Sequence, residues 1–151
     1  MAQRVEADLV LPGELVTAVQ ERLKLTVVLV DNHGFNSIGA LSRSLGLQGF
    51  GTQYRYANGD RPVLDGDADA PPTLPLDLAA NAASLGANAE RVASIDELRA
   101  ALTRARQTDG VNVVVIEVDR YEGVPSYESW WDVPVAEVSE LPAVQAVRRD
   151  Y

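Results

Sequence analysis

Two runs of β-branched residues constrain this chain more than any other feature. Leu25 to Val30 reads LTVVLV, and Val111 to Val118 reads VNVVVIEV. Neither run alternates apolar with polar residues, so each reads as a strand covered on both faces, the kind found in parallel sheets flanked by helices. A segment of helical period precedes each. Glu14 to Leu23, behind Pro12 and Gly13, places Leu15, Val16, Val19 and Leu23 on one face. Ile95 to Arg106 turns Leu98, Ala101, Leu102 and Ala105 inward, behind Ser94-Ile95-Asp96-Glu97. That tetrad is a capping box: the serine oxygen accepts from the Glu97 N–H, and the glutamate reaches back to the Ser94 N–H. Asp77 to Leu85 predicts a helix stopped by Gly86, Ala87 to Val92 a shorter strand, and Pro142 to Arg149 a terminal helix with Ser139 or Glu140 near its start. A short helix is also expected from Ser37 to Leu45. Helices alternating with apolar strands specify an α/β fold with a mostly parallel sheet, helices on its faces and right-handed crossovers.

The 151 residues suit a single domain spanning 1–151, long enough to bury a core without disulfides or a structural metal. There is no cysteine, which removes thiolate catalysis and cysteine-based zinc sites. The balance of 13 basic against 22 acidic side chains gives a net charge of −9, which would repel a phosphate backbone and argues against nucleic-acid binding. No apolar run approaches the roughly 20 residues of a membrane span, and the N-terminal residues lack the apolar stretch of a signal peptide. A cytoplasmic location is therefore expected. One stretch breaks the regular pattern. Between Gly46 and Pro75 lie five of the 11 glycines and four of the eight prolines, with Asp60, Asp65, Asp67 and Asp69, so no regular element is expected there. The last segment, 119–151, is mixed in character.

Chemistry concentrates after the first buried strand. Ligands of parallel α/β sheets collect beyond the carboxyl ends of the strands, where this chain has Asp31-Asn32-His33-Gly34. Asn32 offers a neutral oxygen suited to a hard cation, and Gly34 allows a backbone carbonyl close to a ligand. The same four residues also make an ordinary strand-ending turn that needs no ligand. His33 is the only histidine, which excludes a two-histidine metal site; it reads either as a hydrogen-bonded turn residue or as a lone base. Gly49-Phe50-Gly51-Thr52 has the look of a glycine-rich phosphate loop but follows no clear strand. The adjacent Trp130 and Trp131 read as core or interface filling, or as a substrate platform.

Several segments also carry a family likeness. Glu14 to Glu21 (ELVTAVQE) followed by Leu25 to Phe35 (LTVVLVDNHGF) resembles the cofactor-binding C-terminal domain of thiamine-diphosphate enzymes of the acetolactate synthase type. Ser37 to Leu45 (SIGALSRSL), Gly49-Phe50-Gly51-Thr52 and Tyr127 to Ser139 (YESWWDVPVAEVS) are similar to one branch of that superfamily. Its members hydrolytically open a trihydroxycyclohexane-1,2-dione ring in myo-inositol catabolism. The resemblance runs from Leu11 onward and implies thiamine diphosphate, held through Mg²⁺, as cofactor. It places the cofactor at Asn32, His33, Gly34 and Phe35, with Asn32 and the Gly34 carbonyl as metal ligands, and assigns no catalytic residue to this chain.

The resemblance also implies what is missing. The family's metal is held in addition by the aspartate of a Gly-Asp-Gly motif, and Arg4-Val5-Glu6 stands in its place; Glu6 and Asp8 are out of register. The strand before that motif is expected to be absent, as are the pyrimidine-binding domain and the glutamate that activates the cofactor. The isolated chain is therefore expected to be inactive. Three readings follow: a piece of the ring-opening hydrolase, one subunit of a split enzyme completed by a pyrimidine-binding domain in trans, or a non-catalytic interaction module. A homo-oligomer is expected from the apolar surface left uncovered, and the 46–75 segment is expected to be mobile without a domain to close on.

Overall fold

A computed structural model of the chain describes residues 12–47, 49, 51–59, 72–122 and 134–151. The Arg4-Val5-Glu6 stretch, Phe50, the aspartates at 60, 65, 67 and 69, and the Trp130–Trp131 pair lie outside the described residues. The chain divides into two compact units, one formed by residues 1–31 and 75–118 and the other by 32–74 and 119–151.

The first unit holds the sheet. Its elements are α1 (Pro12–Gln20), β1 (Leu25–Asp31), then, numbered along the whole chain, α3 (Leu78–Ser84), β2 (Asn88–Val92), α4 (Ile95–Gln107) and β3 (Val111–Glu117). The strands lie in the order β1-β3-β2, all parallel, with Leu25 opposite Val111 and Asn88 opposite Asn112. β3 is central and its first six residues are all buried. Successive side chains on a strand point to opposite faces, and β3 uses both. Val111, Val113 and Val115 meet Leu15 and Ala18 of α1 and Leu78 and Ala82 of α3, while Val114 and Ile116 meet Val92 of β2 and Ala101 of α4. Passing from β1 to β2 under α3, and back from β2 to β3 under α4 on the opposite face, keeps both crossovers of one hand.

β1 departs from the expectation of burial on both faces. Among the described residues it is an edge strand, with Leu25 41% and Val30 52% exposed. Its composition is that of a buried strand, but burial needs a neighbour on both sides. α1 also differs, ending at Gln20 with Leu15 and Ala18 inward; Val16 and Leu23 are exposed. The cause is a Schellman stop. Arg22 adopts a left-handed φ of 53°, the Leu23 amide donates to Ala18 and the Arg22 amide to Val19. The same pair of bonds closes α3, where the left-handed residue is Gly86.

α4 begins as its sequence indicates, with one shift. Ser94 Oγ accepts from the Glu97 amide (3.2 Å), but Glu97 reaches back to the Ala93 amide (2.7 Å) and not to that of Ser94. Asp77 caps α3 by accepting from the Ala80 amide. Arg104 on α4 pairs with Glu90 on β2, and this hydrogen bond raises the guanidinium pKa above its ordinary value.

The second unit contains α2 (Asn36–Ser44) and α5 (Pro142–Asp150). α2 ends in a third Schellman stop, with Leu47 donating to Ser42, Gly46 to Arg43, and Gly46 at a φ of 79°. α5 packs so closely there that a Cβ on Gly46 would stand 2.7 Å from the Ala143 carbonyl carbon. Ser139 Oγ accepts from the Leu141 amide just ahead of α5.

Four substitutions, one of them a control, test these helix ends and the core. Arg22→Gly is expected to raise the unfolding free energy by about 1 kcal/mol, because it removes a non-glycine residue from the left-handed region. Gly46→Ala is expected to cost about 2 kcal/mol or more, combining the same strain with a backbone clash. In the core, Val113→Ala is expected to cost about 2 kcal/mol while Val30→Ala, as a control, stays within about 0.5 kcal/mol, since only the first side chain is fully buried. Urea denaturation of each variant measures these changes.

Candidate functional site

The segment Asn32–Phe35, which follows β1 directly, belongs to the second unit and adopts backbone shapes that few residues tolerate. His33 has a left-handed φ of 57°, costing about 1 kcal/mol for a residue with a side chain. Gly34 follows, and an ideal Cβ on it would collide with the Thr52 carbonyl oxygen. Only glycine permits that approach.

What comes so close to Gly34 is part of the glycine- and proline-rich stretch, for which the sequence predicts no regular element. Its described residues form a short antiparallel ladder. Gly34 is bridged to Gln53 and Arg55 to Thr73. The Phe35 amide donates to Thr52 (3.0 Å), the Tyr54 amide to His33 (2.9 Å), the Tyr56 amide to Pro72 (3.4 Å) and the Leu74 amide to Tyr54 (2.8 Å). Backbone pairing of this kind has no apolar periodicity to announce it in the sequence. The rings of Phe35 and Tyr54 add an edge-to-face contact at 5.4 Å.

The ladder decides where the Gly34 carbonyl points. Because the bonds run through Phe35 and His33, the Gly34–Gln53 pair is of the non-hydrogen-bonded type, whose own N–H and C=O groups turn away from the partner strand. Two residues earlier, Asn32 Oδ1 is buried and accepts no hydrogen bond among the described residues. A buried, unsatisfied amide oxygen costs about 1–3 kcal/mol. Neutral oxygens of this kind are donors for a hard cation. No cluster of three or more His, Cys, Asp or Glu side chains suited to a metal occurs among the described residues.

The turn leads straight into α2. No side chain caps this end: Phe35 is the N-cap residue and makes no side-chain bond, while its carbonyl accepts the first helical bond, from Gly39 (3.0 Å). An uncapped helix N-terminus favours an anion. Asn36 anchors the start of the helix by donating to the Arg120 carbonyl (2.6 Å) and accepting from Arg43 (3.0 Å). Arg43 and Arg120 both lie over the Tyr121 ring, at 5.6 and 5.7 Å.

Asn32, His33, Gly34 and Phe35, the residues singled out from sequence, thus stand on one turn. Gly49 and Gly51 stand just ahead of Thr52 in the chain. Both take left-handed φ values, 64° and 74°, in a turn that delivers Thr52 to Gly34, with no strand before it and no helix after it among the described residues. Sequence reasoning does not single out Thr52 as a site residue on its own, nor Gly39. The polar Thr52 is buried among glycines distant in sequence, which no local pattern reveals.

Comparison with known proteins bears on the family and the fold. Residues 9–118 match the model of the thiamine pyrophosphate enzyme C-terminal TPP binding domain. The chain is 40% identical over 136 residues to the 3D-(3,5/4)-trihydroxycyclohexane-1,2-dione hydrolases 1 and 2 of one Bacillus cereus strain, and equally to a hydrolase of that name from Bacillus anthracis. Each match covers 90% of this chain and 20% of the relative, so the chain spans about a fifth of the length of these proteins. A match of 136 residues within 151 necessarily extends past residue 118, beyond the family domain. Among solved structures, benzoylformate decarboxylase from Polynucleobacter necessarius shares the fold, with a TM-score of 0.52 and 21% identity over 70% of this chain and 17% of that one. On the extent of the domain match, the chain belongs to the thiamine pyrophosphate enzyme family and carries its C-terminal TPP-binding domain.

Proposed function

We propose that this chain forms the diphosphate side of the cofactor site in a hydrolase that opens a cyclic 1,2-diketone. The observation that carries the proposal is the buried, unsatisfied Asn32 Oδ1. Asn32 and the Gly34 carbonyl, turned away from the partner strand, would hold Mg²⁺, and the uncapped end of α2 would favour the anionic diphosphate. His33 and Phe35 line the same turn. When bound, thiamine diphosphate supplies a nucleophilic thiazolium carbon for cleaving a bond next to a carbonyl. This chain's part is to bind and orient; the group that activates the cofactor belongs to a pyrimidine-binding domain, on the same longer chain or in trans. The kinship with trihydroxycyclohexanedione hydrolases supports the choice of substrate class.

Titration calorimetry with thiamine diphosphate and Mg²⁺ tests the binding half of the proposal. Cation-dependent binding by this chain, without diketone turnover, is the expected result, and turnover is expected only once a pyrimidine-binding domain is added. Absence of cation-dependent binding in the presence of that domain would favour a folded interaction module instead.

Asn32→Ala is expected to weaken Mg²⁺-dependent binding about ten- to a hundredfold. Its unfolding free energy should hold or rise, by up to about 1 kcal/mol, because the amide oxygen it removes is buried with no protein partner among the described residues. His33→Gly is expected to gain about 1 kcal/mol of stability by relieving the left-handed strain, and any loss of cofactor affinity in that variant would measure the imidazole's share of binding.

A further inference from the structure

We infer that Thr52 is a positioning residue for the cation turn, locking Asn32–Phe35 to the first turn of α2. The inference rests on the reading of Asn32 and Gly34 as cation ligands. Thr52 is 4% exposed, and its Oγ1 donates to the Gly49 carbonyl at 2.7 Å. The Thr52 amide reaches the same carbonyl at 3.2 Å, so the hydroxyl and the backbone are held together. Its carbonyl accepts from the Phe35 amide and forms the wall against which only a glycine at 34 fits. On the other side, a Cβ on Gly39 would lie 2.8 Å from Thr52 Oγ1 and 3.3 Å from its Cβ. Gly39 donates to the Phe35 carbonyl. Thr52 therefore braces Phe35 from both directions, through its carbonyl toward the turn and through its side chain toward the helix.

The brace requires a small side chain that carries a hydroxyl. Valine preserves the shape but leaves the Gly49 carbonyl without its hydroxyl partner, while serine preserves the bond and loses one methyl. Loss of the brace should displace the Gly34 carbonyl and the Asn32 amide, and with them the cation affinity.

The test uses the ¹⁵N-labelled full chain and two readouts: amide hydrogen exchange, and calorimetric affinity for thiamine diphosphate with Mg²⁺ well below the melting temperature. Thr52→Val is expected to accelerate exchange at the Phe35 amide about tenfold and to weaken cation-dependent binding by about the same factor. It should also shift the Asn32 side-chain amide resonance and leave Val113 exchange unchanged. Thr52→Ser should stay within about twofold of the native chain on both readouts, a rescue that a space-filling role for the side chain would not give.

A folded Thr52→Val variant with native Phe35 exchange and native affinity overturns the inference, as does a serine variant as impaired as the valine one. If the valine variant does not fold, Gly39→Ala decides. It pushes on the same hydroxyl, and unchanged Phe35 exchange there is also a refutation. If the native chain binds no cofactor, the cation assignment fails, while the Phe35 and Asn32 signals still judge the brace.

Discussion

The burial of β3 on both faces is the constraint on which the sheet unit depends. A strand that sends Val111, Val113 and Val115 one way and Val114 and Ile116 the other needs helices above and below. α1 and α3 supply one cover and α4 the other. The alanines of these helices, Ala18, Ala82, Ala101 and Ala105, let the helix backbones approach the strands closely. β1 and β2 are then placed by hydrogen bonding to β3, in the registers that put Leu29 and Val92 into the two cores.

The turn after β1 is held by a different kind of force. Among the described residues, few apolar side chains are buried around it. It is fixed by main-chain pairing, by a glycine that admits a neighbouring carbonyl, and by a threonine packed against another glycine. Such contacts hold polar atoms in place without covering them. A carbonyl can then turn outward and an amide oxygen can stay unsatisfied, an arrangement that a hydrophobic core would not tolerate. The strain at His33 and the unsatisfied oxygen of Asn32 are both costs to the folded chain, and costs of this kind collect where a ligand offsets them.

Much of the fold was legible in the sequence because it rests on local signals. The strands, the capping serine at 94 and the glycine stop at 86 each depend on residues within a few positions of one another. The exceptions are instructive. Leu23 has the spacing of an α1 residue, but left-handed Arg22 ends the helix first, with bonds that any residue's backbone can make. Glu97 bonds to Ala93 and not to Ser94, a matter of side-chain reach over one residue. β1 has the composition of a covered strand, yet coverage belongs to the neighbours and not to the strand itself.

The site divides along the same line. The sequence by itself determined that a polar turn with an asparagine and a glycine follows the first strand, and that its wording belongs with cofactor-binding domains that use thiamine diphosphate. Residue type and spacing are enough for that, because a neutral oxygen donor and a flexible backbone position are properties of single residues. Tertiary structure decided that the Gly34 carbonyl faces outward, that Asn32 Oδ1 is buried without a partner among the described residues, and that Thr52 stands between the turn and α2. Those are relations between segments far apart in sequence, set by which backbone groups pair when the chain closes on itself, and no local pattern of side chains encodes them.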